Sequence, residues 1–202
     1  MAQPLTAPRD ARAASAPRNP GRGRRRLVAA ALALLLVAFC ATTARLFMFP
    51  ARGRPARVDA IVMLGGPGDR LGEALKLAAE HRAPYLAIST GRPLPGEGPG
   101  PETDIPCAPP VAGVKEICFG PDPPTTRGEA EAVERLAARY HWHSVVLVTI
   151  TPQDSRARLR VERCFSGKVY VMTGSMPASY WPFEIVYEWA ATIKAVVLQP
   201  SC

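Results

Sequence analysis

Three glycines stand at Gly65, Gly66 and Gly68, immediately after the mostly apolar, β-branched run 58–64 and immediately before Asp69 and Arg70. Glycine lets the backbone turn sharply and approach a ligand closely. NH groups laid open at a helix start attract phosphate or carboxylate. The spacing is neither GxGxxG nor a P-loop, so the glycines point to an anion without specifying one, and a merely tight turn is the alternative. Arg70, one residue into the expected helix, can turn its guanidinium to the same mouth and hold an anion with two hydrogen bonds, or can be a solvated surface arginine.

Two further positions carry the same chemistry. Thr126-Arg-Gly-Glu129 matches the capping box, in which hydroxyl and carboxylate satisfy the free NH groups at a helix start. With Thr125 beside it, that start also suits a polar ligand. Arg156 falls in the first turn of a helix expected at 154–164, where the helix dipole disfavours a cation. An anionic ligand or a buried carboxylate partner accounts for it better than helix stability does. Gly65, Gly66 and Thr126 are therefore candidate backbone donors, and Arg70 and Arg156 candidate anion clamps. Ser89, Thr125, Glu129 and Gln153 are candidate polar positioners, and Thr90 and Gly91, at the end of the same strand as Ser89, are further candidate ligand-binding residues.

Other chemistries find less support. His81 closes a helix, and His141 and His143 flank Trp142 ahead of a strand, so none falls at a strand's carboxyl end. No GxSxG elbow occurs, and the sequence places no base beside Ser89, which disfavours a Ser/His/Asp hydrolase. Metal-ligand spacing is absent. Cys107, Cys118, Cys164 and Cys202 lack a CxxC or histidine neighbour and read as structural. Of the three possible pairings we favour Cys107–Cys118, closing a Pro-rich insertion, and Cys164–Cys202, fastening the C-terminus.

The elements that must position these residues alternate. Strands are expected at 58–64, 85–89, 114–119, 144–149 and 168–172. Helices are expected at 69–81, 126–140, 154–164 and 181–198, the last amphipathic on Trp181, Ile185, Val186, Trp189 and Ile193. Residues 92–113, with seven prolines and four glycines, read as an irregular surface insertion. The alternation predicts an α/β fold: a three-layer, Rossmann-like, doubly wound, mainly parallel sheet of about five strands. Right-handed crossovers bring residues 65–66, 89–90, 125–126 and 149–153 to the carboxyl edge.

The chain has 202 residues and a net charge of +8, with 25 basic and 17 acidic residues. Residues 1–57 hold eleven of the basic residues and one acidic residue, which leaves 14 against 16 in 58–202. The folded part is therefore slightly acidic, which argues against nucleic acid. Residues 1–26, rich in Pro, Ala, Arg and Gly, are expected to be disordered and cytoplasmic. Residues 27–44 are uncharged and follow Arg22 and Arg24–Arg26. This predicts a membrane anchor over 27–49 with its N-terminus inside, a linker at 50–57 and an extracytoplasmic domain over 58–202. The alternative is a cleaved signal peptide, with Thr42-Thr43-Ala44 as cleavage site and Arg24-Arg25-Arg26-Leu27 as a twin-arginine-like element.

Asp59-Ala-Ile-Val-Met-Leu-Gly-Gly, Arg70 with Ala74, Ile88-Ser-Thr-Gly, Thr126-Arg-Gly-Glu-Ala and Val148-Thr-Ile-Thr-Pro-Gln-Asp-Ser-Arg-Ala together resemble the ElyC/SanA/YdcF family of bacterial envelope proteins. The resemblance covers about residues 58–171. It implies a Rossmann-like domain, often behind one N-terminal membrane helix, with a role in peptidoglycan and envelope-barrier biology. It implies no established catalytic activity, although a cytoplasmic relative binds S-adenosylmethionine. The chain departs from the family pattern at Thr90, where the family has Gly, near Gly128 and Glu129, where it has Asn, and at Gln153, where it has His. A glutamine can orient a substrate but cannot shuttle a proton. The expected function is binding, with or without processing, of an anionic envelope metabolite such as a lipid-linked cell-wall precursor. The alternatives are a scaffold that recruits cell-wall enzymes through 92–113, and a nucleotide or S-adenosylmethionine module. No cofactor is assigned.

Overall fold

The computed structural model of the chain describes residues 20–50, 53, 55–90 and 107–202. The chain divides at Cys40/Ala41 into two units. The first is the N-terminal part of α1 (Pro20–Thr43). Gly23–Met48 is long and apolar enough to cross a membrane, and its leucines up to Leu36 are exposed, Leu27 at 73% and Leu34 at 71%. Disorder expected over 1–26 is corrected for 20–26, which are already helical; arginine is a good helix former, and the apolar helix propagates back through it. Residues 1–19 lie outside the described residues.

The second unit contains the sheet. Five strands, β1 (Ala60–Met63), β2 (Tyr85–Ser89), β3 (Lys115–Phe119), β4 (Ser144–Ile150) and β5 (Lys168–Gly174), are all parallel in the order β3-β2-β1-β4-β5. Helices α2 (Arg70–Ala79), α3 (Thr126–Tyr140), α4 (Asp154–Cys164) and α5 (Trp181–Ile193) follow in chain order. The doubly wound fold expected from the alternation is thus present. The two-residue period of β1 sorts the core. Ala60 and Val62 face the layer of α3 and α4, with Val133, Ala157 and Val161, while Ile61 faces the layer of α2, with Ala74 and Leu77.

The amino ends of the central strands are tied by Asp59. Its Oδ2 accepts from the NH groups of His143 and Ser144, both at 2.8 Å, and from the Ser144 hydroxyl at 2.9 Å. Both cysteine pairs form as favoured, Cys107–Cys118 and Cys164–Cys202. Residues 91–106 of the insertion lie outside the described residues. From Cys107 onward, Cys107, Ala108 and Val111 pack on the α2 side of the core.

The last helix departs from its expected packing. Of the residues on which it is expected to be amphipathic, Trp181, Ile185 and Trp189 are half-buried, yet Val186 is 71% and Ile193 53% exposed. The buried positions of α5 are Glu184 and Glu188. Helical spacing alone locates an apolar stripe, and here a charged partner on α4 decides which side turns inward.

Candidate functional site

The strand order reverses between β1 and β4, so the loops leaving their carboxyl ends diverge and open a crevice. A cleft of about 630 Å³ lies there. Gly65, Gly66 and Arg70 line one wall, Thr125, Thr126 and Glu129 a second, and Gln153 and Arg156 a third. Eight of the eleven expected ligand residues therefore converge. Ser89 and Thr90 do not line the cleft: Ser89 is buried, and Thr90 bonds through NH and hydroxyl to Phe119 O. Gly91 lies outside the described residues.

Much of the glycine turn is bonded from within the protein. Gly65 NH donates to Glu129 Oε1 at 2.6 Å. Arg70, 3% exposed, folds back: its Nε donates to Pro67 O at 2.9 Å, and its Nη1 donates to Leu64 O at 3.2 Å and to Gly65 O. Beyond the turn, Asp69 pairs with Ser175 past the end of β5, its NH donating to Ser175 O at 2.9 Å. Gly66 at φ 130° and Gly68 at φ 90° adopt conformations that other residues rarely reach. Burial pushes the Arg70 guanidinium down to about 10, with Glu129, Glu184 and Glu188 working against it, so it stays charged at neutral pH.

The capping box expected on Thr126 shifts by one residue. Thr125 is the cap, its hydroxyl accepting from Gly128 NH at 3.3 Å. Thr126 and Glu129 are thereby released into the site. The Thr126 hydroxyl oxygen accepts from Arg156 Nη1 at 2.8 Å and from Gln153 Nε2 at 3.1 Å. Gln153 Oε1 accepts in turn from the Thr149 hydroxyl at 2.6 Å. Gln153 is thus a fixed link between β4 and α3. Glu129 is 3% exposed; desolvation raises its pKa, although Gly65 NH, the Ser89 hydroxyl, Arg70 and Arg156 pull the other way.

Arg156 finds the carboxylate partner that its position in the first turn requires. Its Nε and Nη2 donate to the two oxygens of Glu188, both at 2.6 Å. Its guanidinium carbon also lies 5.8 Å from the centre of the Tyr187 ring. Arg160, one turn on, shares this face and donates to Gln199, whereas Arg158 points to Val169 O.

The wall supplied by α5 is the part that sequence reasoning missed. Phe183, Glu184, Tyr187 and Glu188 line the cleft, with Lys194 on the following turn. Burial and the neighbouring Glu188 carboxylate raise the pKa of Glu184, against Arg70 and Arg156. One signal was available: Glu184 and Glu188 are like charges four apart, a pairing that weakens an isolated helix and asks for a cation.

Cys107, Glu116 and Cys118 lie close enough to hold a metal, but both thiols are joined in a disulfide. Glu116 Oε1 instead accepts from the NH groups of Cys107 and Ala108. His141 adopts a left-handed conformation that ends α3, and His143 precedes β4 at the opposite edge of the sheet from the cleft. In comparisons with known proteins, no family model, curated protein or solved structure matches the chain.

Proposed function

We propose that the protein is a single-pass membrane-anchored domain, facing outward, whose cleft binds an anionic polar ligand of the cell envelope. The charge of the cleft carries this reading. Arg70, Arg127, Arg156, Arg160 and Lys194 line it against Glu129, Glu184 and Glu188, five cations to three carboxylates. Burial raises the pKa of two of those carboxylates, Glu129 and Glu184. This positive site sits in a region, 58–202, whose overall balance is two charges negative. Contrast of this kind concentrates anions locally.

The roles of the arginines follow from their bonds. Arg70 and Arg156 are committed to the glycine turn and to Glu188, so they act chiefly as fixed positive charges and as braces. Arg156 has one Nη1 hydrogen and one Nη2 hydrogen beyond its bonds to Thr126 and Glu188 for a ligand. Lys194, exposed on the turn after α5, supplies an ammonium at the cleft wall. Anchoring is supported by the apolar helix, the outward-facing placement by the arginines before it and by two disulfides, and the envelope ligand by the motif resemblance.

Native mass spectrometry of the full chain extracted from its own membrane tests the reading. A co-purifying phosphorylated or carboxylated lipid or sugar is expected, lost on Lys194→Glu. A chain that carries no anion, and whose melting temperature inorganic pyrophosphate leaves unmoved, overturns it.

A further inference from the structure

Helix α5 is built inside out. Glu184 and Glu188 are 6% and 1% exposed, while Val186 is 71% exposed on the other side and Phe183 and Tyr187, between the two sides, are 68% and 50% exposed. The outward positions 183, 186, 187, 190, 193, 194 and 197 keep the three- and four-residue spacing of a single helical stripe. Among the described residues outside Gly23–Met48, every large exposed apolar side chain is either Phe49 or lies within 180–198. A concentration of that kind on an otherwise covered domain marks an interaction surface.

The position of α5 indicates what covers the stripe. Trp189 Nε1 donates to the Thr43 hydroxyl at 3.1 Å, and its ring meets Phe47 edge-on at 5.4 Å. From α4, the Ser155 hydroxyl donates to Leu46 O at 2.7 Å. Thr43, Leu46 and Phe47 belong to the last turns of the apolar stretch Gly23–Met48, so α5 is fastened where the chain leaves that stretch. The outward stripe carries Lys194 and no carboxylate, because both glutamates of α5 turn inward. Aromatic rings, branched aliphatics and a lysine on one face are the chemistry of a helix lying in the headgroup region of an anionic bilayer.

We propose that the outward stripe of α5 and the turn Lys194–Leu198 lies on the surface of the membrane that the N-terminal helix crosses. The cleft then opens against the lipid headgroups, since Phe183 and Tyr187, stacked at 6.3 Å, belong both to the stripe and to the cleft wall. This inference rests on the anchoring proposed above and not on the identity of the ligand.

The test uses the full chain reconstituted into vesicles of phosphatidylethanolamine and phosphatidylglycerol with brominated acyl chains. Tryptophan is introduced singly by Val186→Trp, by Val37→Trp in the apolar helix and by Arg135→Trp on the exposed side of α3, and quenching is read above that of the unmodified chain. Because Val186 is exposed, the substitution leaves the core untouched. Quenching by roughly half is expected at 186 and at 37, with none at 135, as befits a side chain seated at the acyl boundary. Quenching at 37 but not at 186 overturns the proposal while leaving the anchor standing; absence at 37 removes both. A tryptophan at 186 shielded from acrylamide yet untouched by bromolipid reveals a protein partner or a second copy, which also overturns it.

Discussion

Arg156 and Glu188 meet edge to edge, Nε to Oε2 and Nη2 to Oε1, both at 2.6 Å, joining the first turn of α4 to the inner side of α5. This pair orients the last helix. Once Glu188 is drawn inward to meet the guanidinium, Val186 and Ile193, at other angles around the helix, must point away.

Breaking the pair from one side leaves an uncompensated buried charge. Arg156→Ala or Glu188→Ala is expected to cost about 3–5 kcal/mol in urea unfolding. The double change Arg156→Met with Glu188→Leu should cost clearly less than the two single losses added together. Additive losses would show that the two side chains act independently.

Gly174 lets the end of β5 pass against the turn after β1. A Cβ there would stand inside contact distance of Asp69 O, a backbone atom already fixed by the Asp69–Ser175 pairing. Gly174→Ala should destabilise the domain by about 1–3 kcal/mol, as overpacking against backbone does. Because the strain falls on the glycine turn, amide exchange at residues 65–69 should quicken more than exchange in α3.

Acid should stabilise the cleft. The pKa values of Glu129 and Glu184 lie above their ordinary 4.5 in the folded protein, so the native state holds more protons than the unfolded chain over the range just above 4.5. Their contribution to stability therefore falls as pH rises through that range. Glu184→Gln removes one of the two groups, and its unfolding free energy should decline less steeply from pH 4.5 to neutrality than that of the unmodified chain. An identical slope would mean that Glu184 titrates normally.

The Cys164–Cys202 bridge spans 38 residues and holds the segment after α5, where Gln199 accepts from Arg160 and Arg163. Replacing both cysteines with serine should cost about 2–4 kcal/mol. In intact cells a maleimide should leave Cys107, Cys118, Cys164 and Cys202 unlabelled until reductant is added. Labelling without reductant would place the domain in a reducing compartment.

The sheet and most of its helices were legible because their signals are local. The apolar runs of β1, β2 and β4, the capping residues ahead of α3 and the glycines after β1 each declare their element without knowledge of distant neighbours. Parallel strands joined by helices then leave few ways to arrange the carboxyl edge, and for that reason Gly65, Thr126, Gln153 and Arg156 could be placed together in advance. The capping register of α3 was misread by one residue. Thr125 and Thr126 offer the same hydroxyl, and only the demand of Gly65 NH for the Glu129 carboxylate separates their roles.

The amino-acid sequence by itself thus determined the α/β alternation, the apolar N-terminal helix and the loops that meet at the cleft, because periodicity, turn chemistry and chain connectivity act over short range. Among the three possible cysteine pairings the tertiary structure selected the favoured one. Tertiary structure alone decided what those loops do on arrival. It turned Arg70 back onto Leu64, Gly65 and Pro67, set Glu188 against Arg156, and so rolled α5 until its glutamates lined the cleft and its apolar stripe faced outward. The physical reason is that a buried charge must find its counter-charge, and the nearest one for Arg156 lies 32 residues along the chain, beyond the reach of any local pattern.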